Sequence, residues 1–319
     1  MAIVQSSLSR WWNRGAIALV LVLMVIMMIP LYWIGSTAFK SRADTTTVPP
    51  TVFFKPEITA FIKLFTARAQ ERGVTDPAAY AKAPWWEKQV MDGGDRFIKD
   101  ADGNIESSGY GARFLNSIII AVTSTFLAVA MGTITAYGFS RFKMPGEDDW
   151  LFFILSTRML PPVVVAIPMF LMYRVVGLVD THIGLIILYT AFNLSFSVWL
   201  MKGFIDEIPK EYEEAALVDG YTRMEAFFKI VLPQATTGIA ATAVFCFITA
   251  WNEYAFALMM TNKNAQTAPP YIPSQLGSGL TDWTVIAAGS LLFLIPVALF
   301  TFFLRDHLLR GVTFGAIRR

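Results

Sequence analysis

The chain is poor in the residues that most chemistry requires. It has one cysteine, Cys246, so no disulfide can close within it. It has two histidines, His182 and His307, too far apart in sequence to suggest a metal site. Charged residues make up 16% of the 319, well under the roughly 25% usual in a soluble domain. The net charge of +2 gives no global basic field, and nucleic acid is not an expected partner. No G-x-x-x-x-G-K-[ST], H-E-x-x-H or G-x-S-x-G occurs, so the sequence offers no recognisable nucleotide loop, zinc protease site or nucleophile elbow. Neither an internal repeat nor a low-complexity tract is visible.

What the chain does have is apolar length. Apolar residues are 55% of it, mean hydropathy is +0.51, and the excess is gathered into long runs. About 20 helical residues cross a hydrocarbon core about 30 Å thick. Six stretches approach that length: Gly15 to Phe39, Phe114 to Ser140, Trp150 to Tyr173, Ile183 to Met201, Gln234 to Asn262 and Thr284 to Leu304. The expected fold is therefore an all-α membrane protein with six transmembrane helices. Ser36 and Ala38 loosely suggest a cleavage site, but the run before them is about twice a signal-peptide core. The first stretch is read as a retained span.

Lys and Arg distribution sets orientation. With the N-terminus inside, the inner flanks hold Arg10, Arg14, Arg141, Lys143, Lys202, Lys210, Arg223, Lys229, Arg305, Arg310, Arg318 and Arg319. The short outer loops hold only Arg174 and Lys263. Both termini are expected in the cytoplasm, with anionic membrane lipid against the inner positives. The organisation follows: a tail and first span over 1–40, an extracytoplasmic segment over 41–113, and a five-helix core over 114–319 with a cytoplasmic loop at 203–236 and a cytoplasmic tail. The 41–113 segment mixes both signs of charge with several prolines, and is expected to fold as short helices.

The cytoplasmic loop is the most informative stretch. Pro209 suits a first helical position, and Glu211 and Glu213 favour the positive end of a helix dipole. Gly220 suits a left-handed stop. Thr222 and Glu225 have capping-box spacing. Met224, Phe227, Phe228 and Val231 make one apolar stripe, and Pro233 ends or kinks the second helix. Ala215 and Ala216 leave a smooth surface for close approach. Local physics alone allows two readings: a helix–turn–helix for a partner, or amphipathic helices on the bilayer or on the chain's own spans.

Glu214-Ala215-Ala216, then Gly220, then Ile230-x-Leu232-Pro233 resembles the EAA signature of permease subunits of bacterial binding-protein-dependent ABC importers. Thr157 to Pro162, Gly177 to Thr181, Trp251 to Tyr254 and Arg310 to Ala316 are similar to the maltose-type branch of carbohydrate permeases. The resemblance covers the last two-thirds and the first span. The outer segment departs from it by its length. The resemblance implies an inner-membrane permease half, not an enzyme and with no cofactor. It would work with a second, related permease, two ATPase subunits and an extracytoplasmic solute-binding protein, and carry a sugar or sugar-like solute. It also implies that Glu214, Ala215, Ala216, Asp219 and Gly220 form a knob in an ATPase cleft, with Ile230, Leu232 and Pro233 completing the docking set.

Polar residues inside spans are costly and often functional. Arg158 lies in the third stretch, Asn193, Ser195 and Ser197 in the fourth near Trp199, and Trp251, Asn252 and Glu253 in the fifth. Arg158, Asn193, Ser197, Trp251, Asn252 and Glu253 are candidates for a translocation path. The competing reading is hydrogen bonding or an ion pair between helices. A stand-alone secondary transporter or channel is the alternative function. It would favour midplane ion-coupling carboxylates and often a repeat, whereas only Glu253 is available. A membrane-embedded enzyme would need a titratable cluster that the spans lack.

Overall fold

A computed structural model describes residues 7–70, 77–274 and 282–316. The side chains of Arg10, His307 and Arg310, and all of Arg318 and Arg319, lie outside the described residues. Two compact units result. Residues up to 108 with 282–292 form the smaller, and 109–274 with 293 onward form the larger.

The smaller unit begins with α1 (Ser7–Ala38), which continues through Pro30. Its residues from Gly15 to Trp33 are exposed on this single chain, as a lipid-facing or partner-facing helix should be. Four short helices follow: α2 (Arg42–Thr45), α3 (Thr59–Phe65), α4 (Pro77–Lys82) and α5 (Trp85–Asp92). The 41–113 segment also holds two strands, which the expectation of short helices alone had missed. β1 (Arg68–Gln70) pairs antiparallel with β2 (Asp95–Phe97), Arg68 opposite Phe97. Three residues per strand are too few to display an alternating pattern in sequence.

Four charges meet in this unit, three of them buried and Arg68 half-buried. Lys63 Nζ lies 2.6 Å from Asp95 and 3.5 Å from Asp282, while Arg68 lies 3.1 and 3.2 Å from the same two carboxylates. Burial by itself would raise the pKa of Asp282. Lys63, the hydroxyl of Thr284, Arg68 and Arg42 together outweigh it and hold the carboxyl below its usual range. Alternating signs explain how these charges tolerate burial.

The larger unit is built on α6 (Tyr110–Arg141) and α9 (His182–Asp206), its most extensive helix pair. A Cβ at Gly132 would stand 2.2 Å from Ser197 Oγ, so these helices approach too closely for any side chain there. Between them run α7 (Glu147–Ser156) and α8 (Pro162–Val175). The rest is α10 (Glu211–Val218), α11 (Arg223–Ala226), α12 (Leu232–Gln234), α13 (Thr236–Trp251), α14 (Ala255–Met260) and α15 (Ala268–Ser274), closed by α16 (Trp283–Ala316), which begins in the smaller unit.

Among the described residues, four helices are long and apolar enough to cross a membrane: α1, α6, α9 and α16. The count reaches six only if two bent pairs each serve as one span. The expected third span, Trp150 to Tyr173, is therefore not continuous. It breaks into two helical pieces at 91°. Pro161 and Pro162 lack N–H groups, and Leu160 before them is extended at φ −68°, ψ 126°. Pro168 does not interrupt α8. The expected fifth span, Gln234 to Asn262, is also divided. α13 ends at Trp251, three residues of irregular backbone follow, and α14 is separate.

Candidate functional site

The loop after α9 folds as the spacing predicts, with one shift. α10 begins at Glu211, so Pro209 precedes the first helical residue, and its carbonyl accepts the N–H of Tyr212 at 3.4 Å. The helix ends in a Schellman arrangement. Tyr221 N–H reaches Ala216 O at 3.0 Å, Gly220 N–H reaches Leu217 O at 3.1 Å, and Gly220 has φ +91°. Nothing lies within 4 Å of a Cβ added at Gly220, so the need for glycine there is one of backbone conformation and not of space. The capping box forms. Thr222 N–H donates to Glu225 at 2.9 Å, and Glu225 N–H donates to Thr222 Oγ1 at 3.3 Å.

A π turn over Phe227–Val231 then joins α11 to α12, with Leu232 N–H bonded to Phe227 O. The chain bends by 74° into α13. The single apolar stripe expected here is split. Phe227 and Val231 are buried, while Met224 and Phe228 are exposed. The wider π turn changes the angular step per residue, so an ideal 3.6-residue count no longer assigns the faces.

Charge fastens this hairpin to the bundle. Glu213 is 7% exposed, accepts Tyr137 Oη–H at 2.9 Å and is paired with Arg141 Nε. Arg141 also donates to Ile208 O at 3.0 Å and to Ser140 Oγ at 2.8 Å, and Ser140 in turn donates to Asp206 at 2.5 Å. The Phe227 ring packs on Tyr137 with centroids 4.7 Å apart. Sequence reading gave Glu213 only a dipole role. Its partners lie more than 70 positions upstream, and no local pattern signals them.

Of the docking candidates, Glu214, Ala215, Asp219, Gly220 and Pro233 are exposed, and Ile230 and Leu232 are half-buried. Ala216 is not part of an accessible surface. It is 5% exposed, facing inward one position past Ala215. Val218, 88% exposed, and Tyr212 stand on the open side instead.

The two broken helices meet around a cavity of about 140 Å³ in the larger unit. The break at Leu160 brings Arg158 to it, and the break after Trp251 brings Glu253. Arg158 donates to Phe192 O at 2.7 Å and to Asn193 Oδ1 at 3.2 Å. Asn193 Oδ1 also accepts Thr249 Oγ1–H at 2.6 Å, and its amide donates to Cys246 O at 3.2 Å, so it ties α9 to α13. Glu253 accepts Tyr189 Oη–H at 2.8 Å and the N–H groups of Phe256 and Ala257 at 2.9 and 3.0 Å. Among the described residues no carboxylate pairs with Arg158.

The cavity gathers Arg158, Asn193 and Glu253 and leaves the other three path candidates out. Ser197 is fully buried against Gly132. Trp251 is 1% exposed, stacked on Phe247 and Phe293 at 5.5 and 4.7 Å, with its indole N–H on Phe293 O. Asn252 is exposed and bonds its own helix at Ile248 O, 2.8 Å away. Tyr189 and Thr249 line the cavity unforeseen, although Tyr189 is one helical turn before Asn193 and could have been found by that spacing. The lining offers a cation, a carboxylate, an amide and hydroxyls, which suit hydroxylated solutes. Its volume is below the roughly 300–1,000 Å³ of ligand pockets, so in this conformation it can serve as a portion of a path but not as an enclosing site.

Asp180 has a role that sequence reading did not assign. It sits at φ +58° and accepts N–H groups from Asn262, Lys263, Asn264 and Ala265 at 3.0 to 3.3 Å. Burial pulls its pKa upward, but the four backbone donors prevail and hold the carboxyl below its usual value. No group of metal-ligating residues occurs among the described residues.

Residues 128–314 match the family described as binding-protein-dependent transport system inner membrane component. The trehalose transport system permease protein SugB of Mycobacterium tuberculosis is 34% identical over 212 residues, 66% of this chain and 77% of its own length. The diacetylchitobiose uptake system permease protein DasC of Streptomyces coelicolor is 27% identical over 310 residues, 97% of this chain and 96% of its own. Among solved structures, a chain from a bacterial ABC transporter that imports the acidic polysaccharide alginate superposes with a TM-score of 0.67. That likeness covers 95% of this chain and 99% of the other at 19% identity, and concerns the fold.

Proposed function

We propose, from the premise that the chain belongs to the family of inner-membrane components of binding-protein-dependent transport systems, that it forms half the path by which an ATP-driven importer takes up a sugar or sugar-like solute. The chain itself is a membrane transport component and not an enzyme. The carbohydrate assignment is supported by the trehalose and diacetylchitobiose permeases among its relatives. The other half is a second, related permease. Two ATPase subunits supply the energy, and a solute-binding protein delivers the cargo.

The observation that carries this reading is the α10–α11 hairpin. It presents Glu214, Ala215, Asp219 and Gly220 outward while Glu213 and Arg141 fix its inner side. A surface held this firmly transmits force. When the ATPase pair closes on ATP, the hairpin moves with it. The Glu213 pair passes the motion to α6, and the bend before α13 passes it to the cavity walls. Solute released by the binding protein then enters, and hydrolysis resets the assembly.

Six crossings follow if the bent pairs each complete one span. α13 alone, at 16 residues, rises about 24 Å, slightly short of the core. Both termini are cytoplasmic in this reading, because Arg14, Arg141, Lys143, Lys202, Lys210 and Arg223 then all lie inside. The 41–113 segment is extracytoplasmic.

Two cysteine experiments in a Cys246→Ser background test this. Ala215→Cys should cross-link to a co-purifying ATPase subunit, and no cross-link in an intact complex would remove the docking role. Ser108→Cys should react with an impermeant thiol reagent in whole cells while Asn13→Cys does not. The reverse pattern would invert the topology.

A further inference from the structure

The smaller unit contains a second cavity that neither docking nor the path uses. It encloses about 470 Å³ where the end of α1 meets the start of α16, and is lined by Trp33, Thr37, Lys40, Asp44, Trp283 and Ile286 among others. Lys40 is the unusual member. It is 3% exposed, yet among the described residues its ammonium has no carboxylate and no hydrogen-bond acceptor. Two ring faces approach it: Trp33 at 4.2 Å and Phe54 at 5.3 Å from Nζ to centroid. Two aromatic faces answer the ammonium only in part, and the rest of its bonding capacity is open to the cavity. This contrasts with Lys63 in the same unit, which has two carboxylates.

Across the cavity lies one acidic group. Asp44 takes a hydrogen bond from Ser41 Oγ at 2.7 Å and is beyond ion-pair distance of Lys40. The lining adds the hydroxyls of Thr37, Thr45 and Thr47 and apolar surface from Ile34 and Ile286, with Trp33 and Trp283 near the ends of two membrane-length helices. Tryptophan at that level marks the boundary between hydrocarbon and headgroups. The site thus combines one cation, one separated anion and an apolar flank at headgroup depth. A simple anion would leave Asp44 unfavourably close, whereas a neutral sugar would leave Lys40 unanswered.

We propose that this cavity holds one zwitterionic phospholipid headgroup bearing a primary ammonium, with its phosphate on Lys40, its ammonium toward Asp44 and its acyl chains along the apolar flank. The volume lies within the range of ordinary ligand sites. The bound lipid would complete the charge pairing at the end of α1 that the chain leaves open.

The test uses the assembled transporter, delipidated in detergent and offered phosphatidylethanolamine, phosphatidylglycerol or water-soluble glycerophosphoethanolamine, with bound mass read by native mass spectrometry. One phosphatidylethanolamine per copy of this chain is expected. Lys40→Met should lower its retention at least tenfold and Lys40→Arg should restore it, which separates loss of charge from loss of fold. Lys55→Met, at an exposed lysine, should change nothing, and Asp44→Asn should abolish the preference over phosphatidylglycerol. Equal retention in Lys40→Met would overturn the proposal. So would equal affinity of the unmodified chain for phosphatidylglycerol. Binding of glycerophosphoethanolamine as tight as that of the lipid would assign the site to a soluble compound instead.

Discussion

Glu213 and Arg158 are both charges withdrawn from water in the larger unit, and the chain treats them differently. Glu213 meets a full opposite charge on Arg141 and a phenol on Tyr137. Arg158 meets neutral groups, the carbonyl of Phe192, the amide of Asn193 and the ring face of Phe196, and faces a cavity. A charge that must hold two elements together is best neutralised completely, since the pair then has one arrangement. A charge that must meet a passing solute needs part of its bonding capacity left for it. In the proposed reading, the first suits structure and the second suits transport.

Breaking the first member should have the largest effect. Glu213→Ala leaves Arg141 buried without its partner, and such a loss typically costs about 3–5 kcal/mol. Thermal unfolding of the assembled complex should show it, together with loss of ATPase association. Replacing both residues by Gln should restore part of the loss. A single variant as stable as the original would mean that the pair is not the anchor.

Gly220→Val comes next. A left-handed conformation costs an ordinary residue about 1–2 kcal/mol, so the chain should insert normally while the hairpin tip tilts. Uptake should fall with membrane abundance unchanged, and Gly220→Asn should be milder. Normal uptake in the valine variant would show that tip geometry does not matter.

Arg158→Met sharpens the comparison from the other side. Asn193 keeps Thr249 and Cys246 as partners, so stability should change by less than about 1 kcal/mol while uptake falls severalfold. Glu253→Ala removes the cap on α14 and should cost about 1 kcal/mol with reduced flux. Neither should reorder preference among competing sugars, because the binding protein has already chosen. A reordered preference would place selection in this chain.

The smallest effect is that of pH on Asp180. Its folded carboxyl titrates below the ordinary value near 3.9, so the stability it lends is complete above about pH 4. That stability drains away as pH falls through the folded value. Hydrogen exchange at the amides of Asn262 to Ala265 should be flat from pH 5 to 8 after correction for intrinsic rates. It should rise only in acid, and Asp180→Asn should lose the acid dependence.

Local chemistry was legible in the sequence. The Schellman glycine and the Thr222–Glu225 box form where residue type and spacing put them. Long apolar runs located α1, α6, α9 and α16, but α1 begins eight residues before Gly15, α9 ends five residues past Met201 and α16 continues past Leu304. The third stretch was read as one span, although Pro161 and Pro162 sit at its break, and the 91° angle depends on packing that no single residue encodes. Contacts distant in sequence were hidden. Glu213 with Arg141, and Lys63 with Asp282, are joined only by the fold. Trp251 stood beside polar neighbours in the sequence yet turned into the core, because one face of α13 is wholly apolar and a large aromatic is most stable there.

Uptake by vesicles reconstituted with the whole assembly tests the central claim most directly, with binding protein and labelled sugar outside and nucleotide inside. The account predicts accumulation with ATP, none with a non-hydrolysable analogue, and none when Glu213→Ala replaces the original chain. Accumulation driven by an ion gradient without ATP would contradict it, because this chain would then be a transporter in its own right.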